Sequence, residues 1–240
     1  MTRTRSETID VIALDADDTL WHNESFFEVN QAKFRHLIGP YVPALGPDEL
    51  DKVLFTTETS NLRLFGYGAK GFTLSMIETA IQVTGGRVSA SDIQVLIDLG
   101  KGMIDHPVEL LDGVGETVVE LAKRHRVMVI TKGDLLHQEA KIAASGLGEH
   151  IWQAEIVTEK DPATYQRVLK RHGIDPDRFL MVGNSLKSDV LPVVHIGARA
   201  VHIPYHLLWA HEHVEPGDVG TYATLDKLSE LPAWLAEPAD

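Results

Sequence analysis

The sequence predicts an α/β fold, a doubly wound, three-layer parallel sheet into which an all-helical domain is inserted. Two observations predict it. Short apolar runs rich in β-branched residues alternate with amphipathic stretches of helical length, which indicates a parallel sheet covered on both faces. The long segment between the first and second apolar runs shows only helical patterns, which indicates an insertion rather than further sheet.

Five segments have the composition of buried strands. The clearest is VMVIT at 127–131, an almost continuous apolar run of the kind found inside parallel sheets. The predicted strands are residues 9–15, 127–131, 151–158, 179–183 and 198–203. Amphipathic stretches between them predict the covering helices, at residues 115–125, 134–145, 162–172 and 187–196.

The insertion is predicted from four helical patterns, at residues 26–37, 47–62, 72–83 and 91–103. Glycine, proline and aspartate punctuate the ends of these patterns, as helix boundaries require. We therefore expect two domains. Residues 1–24 and 107–240 form an α/β core, and residues 25–106 form the helical insertion.

Composition excludes several classes of partner. The 240 residues carry a formal net charge of -13, which argues against nucleic acid or an anionic membrane surface as a main partner. The chain has no cysteine, which excludes disulfides and thiolate metal sites. Its N-terminus has no apolar stretch of the kind a signal peptide needs, and no run approaches the roughly 18 apolar residues of a membrane helix. We expect a cytoplasmic protein.

An acidic cluster follows the first predicted strand. In the stretch ALDADDTLWHNE, Asp15, Asp17 and Asp18 occupy three of four positions. Carboxylates crowded in this way repel one another, and burial of an unpaired ion costs on the order of several kcal/mol. The cluster therefore needs a positively charged partner.

Further polar residues follow the other strands. Because open parallel sheets bind ligands at the carboxyl ends of their strands, we expect these side chains to meet the acidic cluster. They are Thr131 and Lys132 at the end of the second strand, Lys160 before the helix at 162–172, and Asn184 and Asp189 after the fourth strand. Gly133, which follows Lys132, would contribute its backbone N–H group.

This ordered set resembles the motifs of the haloacid dehalogenase-like hydrolase superfamily. The D-x-D-x-T pattern that begins at Asp15 is followed in register by a hydroxyl, a lysine and a further acid, and the resemblance covers almost the whole chain. It implies a Rossmann-like core with a helical cap inserted after the first motif. It also implies a Mg²⁺-dependent phosphomonoesterase that acts on a small phosphorylated metabolite, either a sugar phosphate or a nucleoside monophosphate.

The resemblance assigns a role to each residue of the set. Asp15 would be the nucleophile that forms an aspartyl-phosphate, and Asp17 would protonate the leaving alcohol and later activate water. Thr131 and backbone N–H groups near Lys132 and Gly133 would hold the phosphoryl oxygens. Lys160 would supply a fixed positive charge.

The same resemblance assigns Mg²⁺ to Asp15, the backbone carbonyl of Asp17, Asn184 and Asp189. Two unit charges ~4 Å apart repel by ~4 kcal/mol at an effective dielectric of 20, and a shared cation removes that barrier between carboxylate and phosphate. Asn184 departs from the family pattern, where aspartate is more usual, so one negative charge is lost. Asp17 separates the chain from the dehalogenases of the superfamily, which use no metal and lack this second acid.

Two alternatives stay open. A phosphotransferase or phosphomutase of the same superfamily would pass the phosphoryl group to an acceptor other than water. A non-catalytic phospho-aspartate switch or binding module would combine similar residues. Receiver domains of this second kind place their phosphoacceptor on a later strand and carry no comparable helical insertion. The oligomeric state is left open.

Two further segments give weaker signals. In the insertion, glycines at 66, 68 and 71 predict a flexible loop that presents Tyr67 and Lys70 to the substrate, and a simple turn between helices is the alternative. After the last strand, the histidine-rich segment, residues 202–214, offers zinc-ligand types that include Glu212. Their spacing matches no standard metal motif, so we favour a packing or surface role.

Overall fold

The structure is a computed structural model that describes residues 3–214 and 221–239 of the chain. The chain forms two compact units, one from residues 1–23 and 108–240 and the other from residues 24–107. We call them the sheet unit and the helical unit. Among the described residues, every helix is too short or too polar to cross a lipid bilayer.

The sheet unit contains six parallel strands in the order β3-β2-β1-β4-β5-β6. The strands are β1 (Val11–Leu14), β2 (Arg126–Lys132), β3 (Gln153–Val157), β4 (Phe179–Gly183), β5 (Arg199–His202) and β6 (Ala223–Thr224). The predicted α/β class and parallel sheet are confirmed. The sequence did not predict β6, because two residues are too few to form a recognisable apolar run.

Helix α1 (Arg5–Thr8) precedes the sheet. The helical unit consists of α2 (Glu24–Ile38), α3 (Pro47–Phe65), α4 (Ala69–Thr84) and α5 (Ala90–Ile104), with a short 3₁₀ turn between α2 and α3. The sheet unit adds α6 (Val114–Ala122), α7 (Leu135–Ala144), α8 (Pro162–His172), α9 (Leu191–His195) and α10 (Leu231–Ala236).

Alternate residues of the central strands face opposite layers of helices. On one face, Ile12 and Leu14 belong to a buried cluster that includes residues of α6 and α10. On the other face, Val11 and Ala13 belong to a cluster that includes residues of α8 and α9. A strand buried on both faces reads as a continuous apolar run, which is why the central strands were recognisable in the sequence.

Two local predictions differ from the structure, the first in the type of helix and the second in the extent of a loop. The helix expected over residues 187–196 is a π-helical turn, Leu186–Val190, followed by the short helix α9. The glycine-rich loop of the helical unit is only residues 66–68, because α4 already begins at Ala69 and includes Lys70 and Gly71. Gly66 and Gly68 have φ of 73° and 104°, so they carry the turn, whereas Gly71 is helical.

The helical unit has its own apolar core, to which α2, α3, α4 and α5 all contribute. Helices α4 and α5 approach each other closely at Gly100, where a Cβ atom would lie 2.0 Å from Thr73 Oγ1 and 2.9 Å from Thr73 Cβ. Gly102 lies on the same helix with no atom within 4 Å of its Cβ position. Gly100 is therefore a packing requirement and Gly102 is not.

We expect opposite effects from alanine at these two positions. Gly102→Ala should stabilise the protein by up to about 1 kcal/mol, because alanine loses less backbone entropy in a helix. Gly100→Ala should destabilise it by about 1–3 kcal/mol, because the added methyl group overpacks the contact with Thr73. Urea unfolding followed by circular dichroism measures both. Equal stabilisation by the two variants would contradict the close packing of α4 on α5.

Candidate active site

The candidate site lies where β1, β2 and β4 end. Strand β1 is central, with β2 on one side and β4 on the other, and the strand order reverses direction at this point. Ligands of doubly wound sheets bind at such a switch point. The backbone N–H of Asp15 donates to Val182 O at 2.9 Å, which extends the β1–β4 pairing to the first residue of the acidic cluster.

Lys160 joins two of the predicted carboxylates. Its Nζ donates to Asp15 Oδ1 and, at 2.6 Å, to Asp189 Oδ1, and the residue is only 4% exposed. Burial alone would lower the pKa of Lys160, but the two carboxylates outweigh it and raise that pKa. Burial is the main cause that raises the pKa of Asp15 to about 7. The negative charge of Asp189 adds to this effect, whereas Lys160, which Asp15 shares with Asp189, opposes it.

The loop after β4 fixes Asp189. Oδ2 of Asp189 accepts a hydrogen bond of 3.0 Å from the N–H of Ser185, and the backbone N–H of Asp189 donates to Ser185 O at 2.8 Å. Gly183 leaves room for the carboxylate, because a Cβ there would lie 2.2 Å from Asp189 Oδ2. Glycine at 183 is thus required by the packing of Asp189 against the end of β4.

Asp17 is held by three donors that the sequence did not single out as site residues. Its Oδ1 accepts from Trp21 Nε1 at 2.7 Å and from Lys141 Nζ at 2.5 Å, and its Oδ2 accepts from Gln138 Nε2 at 3.0 Å. Burial works to raise the pKa of Asp17, but Lys141, Trp21 and Gln138 outweigh it and lower that pKa. Gln138 and Lys141 lie three residues apart on α7, so they share one helix face.

Gln138 also links Asp17 to the predicted phosphoryl-binding segment. Its Nε2 lies 3.2 Å from Thr131 Oγ1 and 2.7 Å from Lys132 O. Gly133 has φ of 135°, and a Cβ there would lie 2.9 Å from Gln138 Nε2, so this position requires glycine on both counts. Among the described residues, Gln138 Oε1 is buried without a hydrogen-bond partner.

Lys132 lies at the end of β2, but its ammonium group is already paired. Its Nζ donates to Glu212 Oε1 at 2.6 Å and to Ser188 Oγ at 2.9 Å. Glu212 comes from the histidine-rich segment and is 9% exposed. Burial favours its neutral form, but Lys132 and the hydroxyls of Ser185 and Ser188 outweigh it and lower the pKa of Glu212 to about 2.

Asn184 and Asp18 take different places at the edge of the site. Thr19 Oγ1 donates to Asn184 Oδ1 at 3.4 Å, and the backbone carbonyl of Asn184 accepts from His202 Nε2 at 3.0 Å. Asp18 has φ of 61°, and its Oδ1 accepts from the N–H of Asn23 at 2.9 Å. Asp18 therefore belongs to the tight turn that follows β1.

The charges and oxygen atoms of the site fit a divalent cation. Without the more exposed Glu159, four buried or half-buried carboxylates share three lysine ammonium groups, which leaves one negative charge when all four carboxylates are ionised. Within residues 3–214 and 221–239, no three His, Cys, Asp or Glu side chains cluster so as to hold a metal ion. Mg²⁺ needs no such cluster, because it is usually bound through one or two carboxylates, with waters and substrate phosphates. Asp15 and Asp189 would supply those two carboxylates.

The two remaining predicted residues belong to the helical unit. Tyr67 lies in the turn between α3 and α4 and is half-buried, and Lys70 lies in the first turn of α4 and is exposed. Their contact with a substrate stays a prediction. The residues of the sheet unit, in contrast, lie at one edge of one sheet.

A family model described as haloacid dehalogenase-like hydrolase matches residues 9–197, which include all the sheet-unit residues predicted for the site. This chain belongs to that family of hydrolases, as its motifs indicated.

Similar proteins of known structure extend over nearly the whole chain. A haloacid dehalogenase-like family hydrolase from Xanthomonas campestris is 40% identical, with a TM-score of 0.84 over 97% of this chain and 93% of that one. A 2-haloacid dehalogenase from Pseudomonas syringae pv. tomato is 21% identical, with a TM-score of 0.64 over 95% and 98% of the two chains, and shares the fold.

One curated relative is a phosphatase. The glyceraldehyde 3-phosphate phosphatase of Methanothermobacter thermautotrophicus is 29% identical over 124 residues, which cover 48% of this chain and 54% of the relative. The chain thus spans about half the length of this curated relative.

Proposed function

We propose that the protein is a Mg²⁺-dependent phosphomonoesterase that hydrolyses a small phosphorylated metabolite through an aspartyl-phosphate on Asp15. One observation carries the proposal. Asp15 shares Lys160 with Asp189, and a second carboxylate, Asp17, lies two residues further along, where its side chain is held by donors from α7. The similarity to a glyceraldehyde 3-phosphate phosphatase supports it.

Asp15 is the nucleophile in this proposal. Lys160 binds Oδ1, so we assign the attack on phosphorus to Oδ2. A bond forms between Oδ2 and phosphorus as the bond from phosphorus to the leaving oxygen breaks. Lys160 and the Thr131 hydroxyl supply fixed positive charge and hydrogen bonding where negative charge develops on the phosphoryl group.

Asp17 moves the proton in both halves of the reaction. Asp17 is ionised in the free site, and a bound phosphate dianion would raise its pKa so that it takes up a proton from solvent. It then protonates the leaving alkoxide, and the resulting carboxylate takes a proton from the water that attacks the aspartyl-phosphate. This second acid favours a phosphatase over a dehalogenase, because a halide leaves without a proton whereas an alcohol does not. Trp21, Gln138 and Lys141 keep its carboxylate in one place.

Asp15, Asp189, Asn184 and the backbone carbonyl of Asp17 would hold Mg²⁺. When bound, it offsets the repulsion between the Asp15 carboxylate and the phosphate. The buried charges of the site then change from one negative to one positive, which favours a phosphate dianion. Sugar phosphates and nucleoside monophosphates in the cytoplasm are the substrates that we propose, and we assign Tyr67 and Lys70 to contacts with the leaving group.

The nucleophile is tested by Asp15→Asn. This variant should lower turnover of an aryl phosphate in Mg²⁺ by at least ~10³-fold, because a group that acts as part of a unit is lost. Phosphate release measures the effect, and Asp18→Asn serves as the control, since Asp18 belongs to the turn. Turnover by Asp15→Asn close to that of the wild type would rule out this mechanism.

The two roles of Asp17 are separated by a substrate with a good leaving group. Asp17→Asn should release about one equivalent of p-nitrophenol from p-nitrophenyl phosphate in a rapid burst and then stall. The nitrophenolate needs no proton to leave, whereas hydrolysis of the aspartyl-phosphate needs the base. Stopped-flow absorbance measures the burst. Steady turnover at the wild-type rate would exclude Asp17 from both steps.

The metal assignment is tested by Asn184→Asp. A restored carboxylate should tighten Mg²⁺ binding, because affinity rises with the charge of the ligands. Activity should then reach half its maximum at a lower Mg²⁺ concentration. An unchanged or weaker metal dependence would remove Asn184 from the ligand set and leave Asp189 as the main ligand of that loop.

A further inference from the structure

We propose that Glu212 is a positioning residue, which fixes the loop after β4 and thereby the carboxylate of Asp189. The inference rests on the proposed function, since it assigns Asp189 to Mg²⁺. We call Glu212, Lys132, Ser185 and Ser188 the Glu212 cluster. Because Glu212 belongs to the histidine-rich segment, this segment would help to position a metal ligand of the site.

Glu212 joins elements that follow two different strands. Its Oε2 accepts hydrogen bonds from Ser185 Oγ and from Ser188 Oγ, the second at 2.6 Å, and both serines belong to the loop after β4. Its Oε1 accepts from Lys132, at the end of β2. Lys132 also donates to Ser188 Oγ, so the four side chains form one closed network.

The network reaches Asp189 through Ser185. The Oγ of Ser185 donates to Glu212 and accepts from the N–H of Ser188 at 3.1 Å. This second hydrogen bond caps the start of the π-helical turn. The N–H of Ser185 donates to Asp189 Oδ2 at 3.0 Å. Asp189 is therefore held at Oδ2 by Ser185 and at Oδ1 by Lys160.

The charge of Glu212 is needed as well as its hydrogen bonds. Lys132 has a side chain only 13% exposed, and it contacts Ser188, the residue before Asp189. Without Glu212, its ammonium group beside Ser188 would lose its nearest buried carboxylate, whereas Glu159, 3.6 Å away, is half-exposed and offsets the charge less. A buried positive charge there would oppose binding of a second cation.

The histidine-rich segment is held against the same loop by a second contact. Lys187 Nζ donates to the backbone carbonyl of His211 at 2.7 Å, one residue before Glu212. The segment is thus bound to the loop at Ser185, Lys187 and Ser188. Glu212, named in the zinc alternative, has its two oxygens engaged by a lysine and two serines rather than grouped with histidines.

The experiment measures Mg²⁺ binding to the full chain by isothermal titration calorimetry, without substrate. Glu212→Gln should weaken binding by about tenfold or more, as is typical when a group that orients a metal ligand is lost. Glu212 lies in a 3₁₀ turn, Ala210–Glu212. Glu149→Gln, at an exposed glutamate of a second 3₁₀ turn, Gly148–His150, is the matched control and should bind Mg²⁺ as the wild type does. Lys132→Met combined with Glu212→Gln should recover only part of the lost affinity, because it removes the positive charge but does not restore the contacts of the Glu212 carboxylate with Ser185 and Ser188.

Ser185→Ala tests the same path with the Lys132–Glu212 ion pair intact, and it too should weaken Mg²⁺ binding. Thermal unfolding without metal shows whether each variant is folded. Wild-type affinity in both Glu212→Gln and Ser185→Ala would overturn the inference and leave Glu212 a structural residue. Absence of Mg²⁺ binding in the wild type would instead overturn the proposed function, so the two failures are distinguishable.

Discussion

The site depends on one ion pair network, in which a single buried ammonium group serves two carboxylates. Lys160 is almost fully buried, and so are Asp15 and Asp189. None of the three would be tolerated there alone, because an unpaired ion in a protein interior costs on the order of several kcal/mol. The lysine offsets the cost of burying the acids, and because there are two carboxylates for one ammonium group, a net negative charge remains. This charge is consistent with the cation that we propose.

The same pairing of buried carboxylates with lysines recurs around the site. Asp17 is paired with Lys141, and Glu212 with Lys132, so each further carboxylate has its own lysine. Each pair joins separate elements of the sheet unit. Lys160 joins the loop after β4 to the segment before α8, Lys141 joins the turn after β1 to α7, and Lys132 joins the end of β2 to the histidine-rich segment. Charge pairing therefore orders the loops at this edge of the sheet as well as offsetting their charges.

Sequence reasoning found the residues that follow strands. Asp15, Thr131 and Asp189 were predictable because buried parallel strands are recognisable and their carboxyl ends share one edge. Trp21, Gln138 and Lys141 were missed, because a tryptophan in a turn and polar residues on a helix look like ordinary packing and surface positions. The three-residue spacing of Gln138 and Lys141 on α7 could have shown that they share a face, but not which carboxylate they meet. Glu212 lies in a segment without periodicity, and only the folded chain brings it to Lys132.

The central position of β1 has a consequence for the order in which the chain folds. Its first residue, Val11, pairs with Arg126 on one side and Phe179 on the other, and the whole helical unit lies between β1 and β2 in the sequence. Such distant pairings slow folding, because the chain must close long loops before β1 gains any contact with β2 or β4. The contacts within the helical unit are local, so we expect it to form first. The pairing of β1 with β2 then closes a loop that contains a compact unit in place of flexible chain, and we expect β1, which precedes Asp15, to join the sheet last.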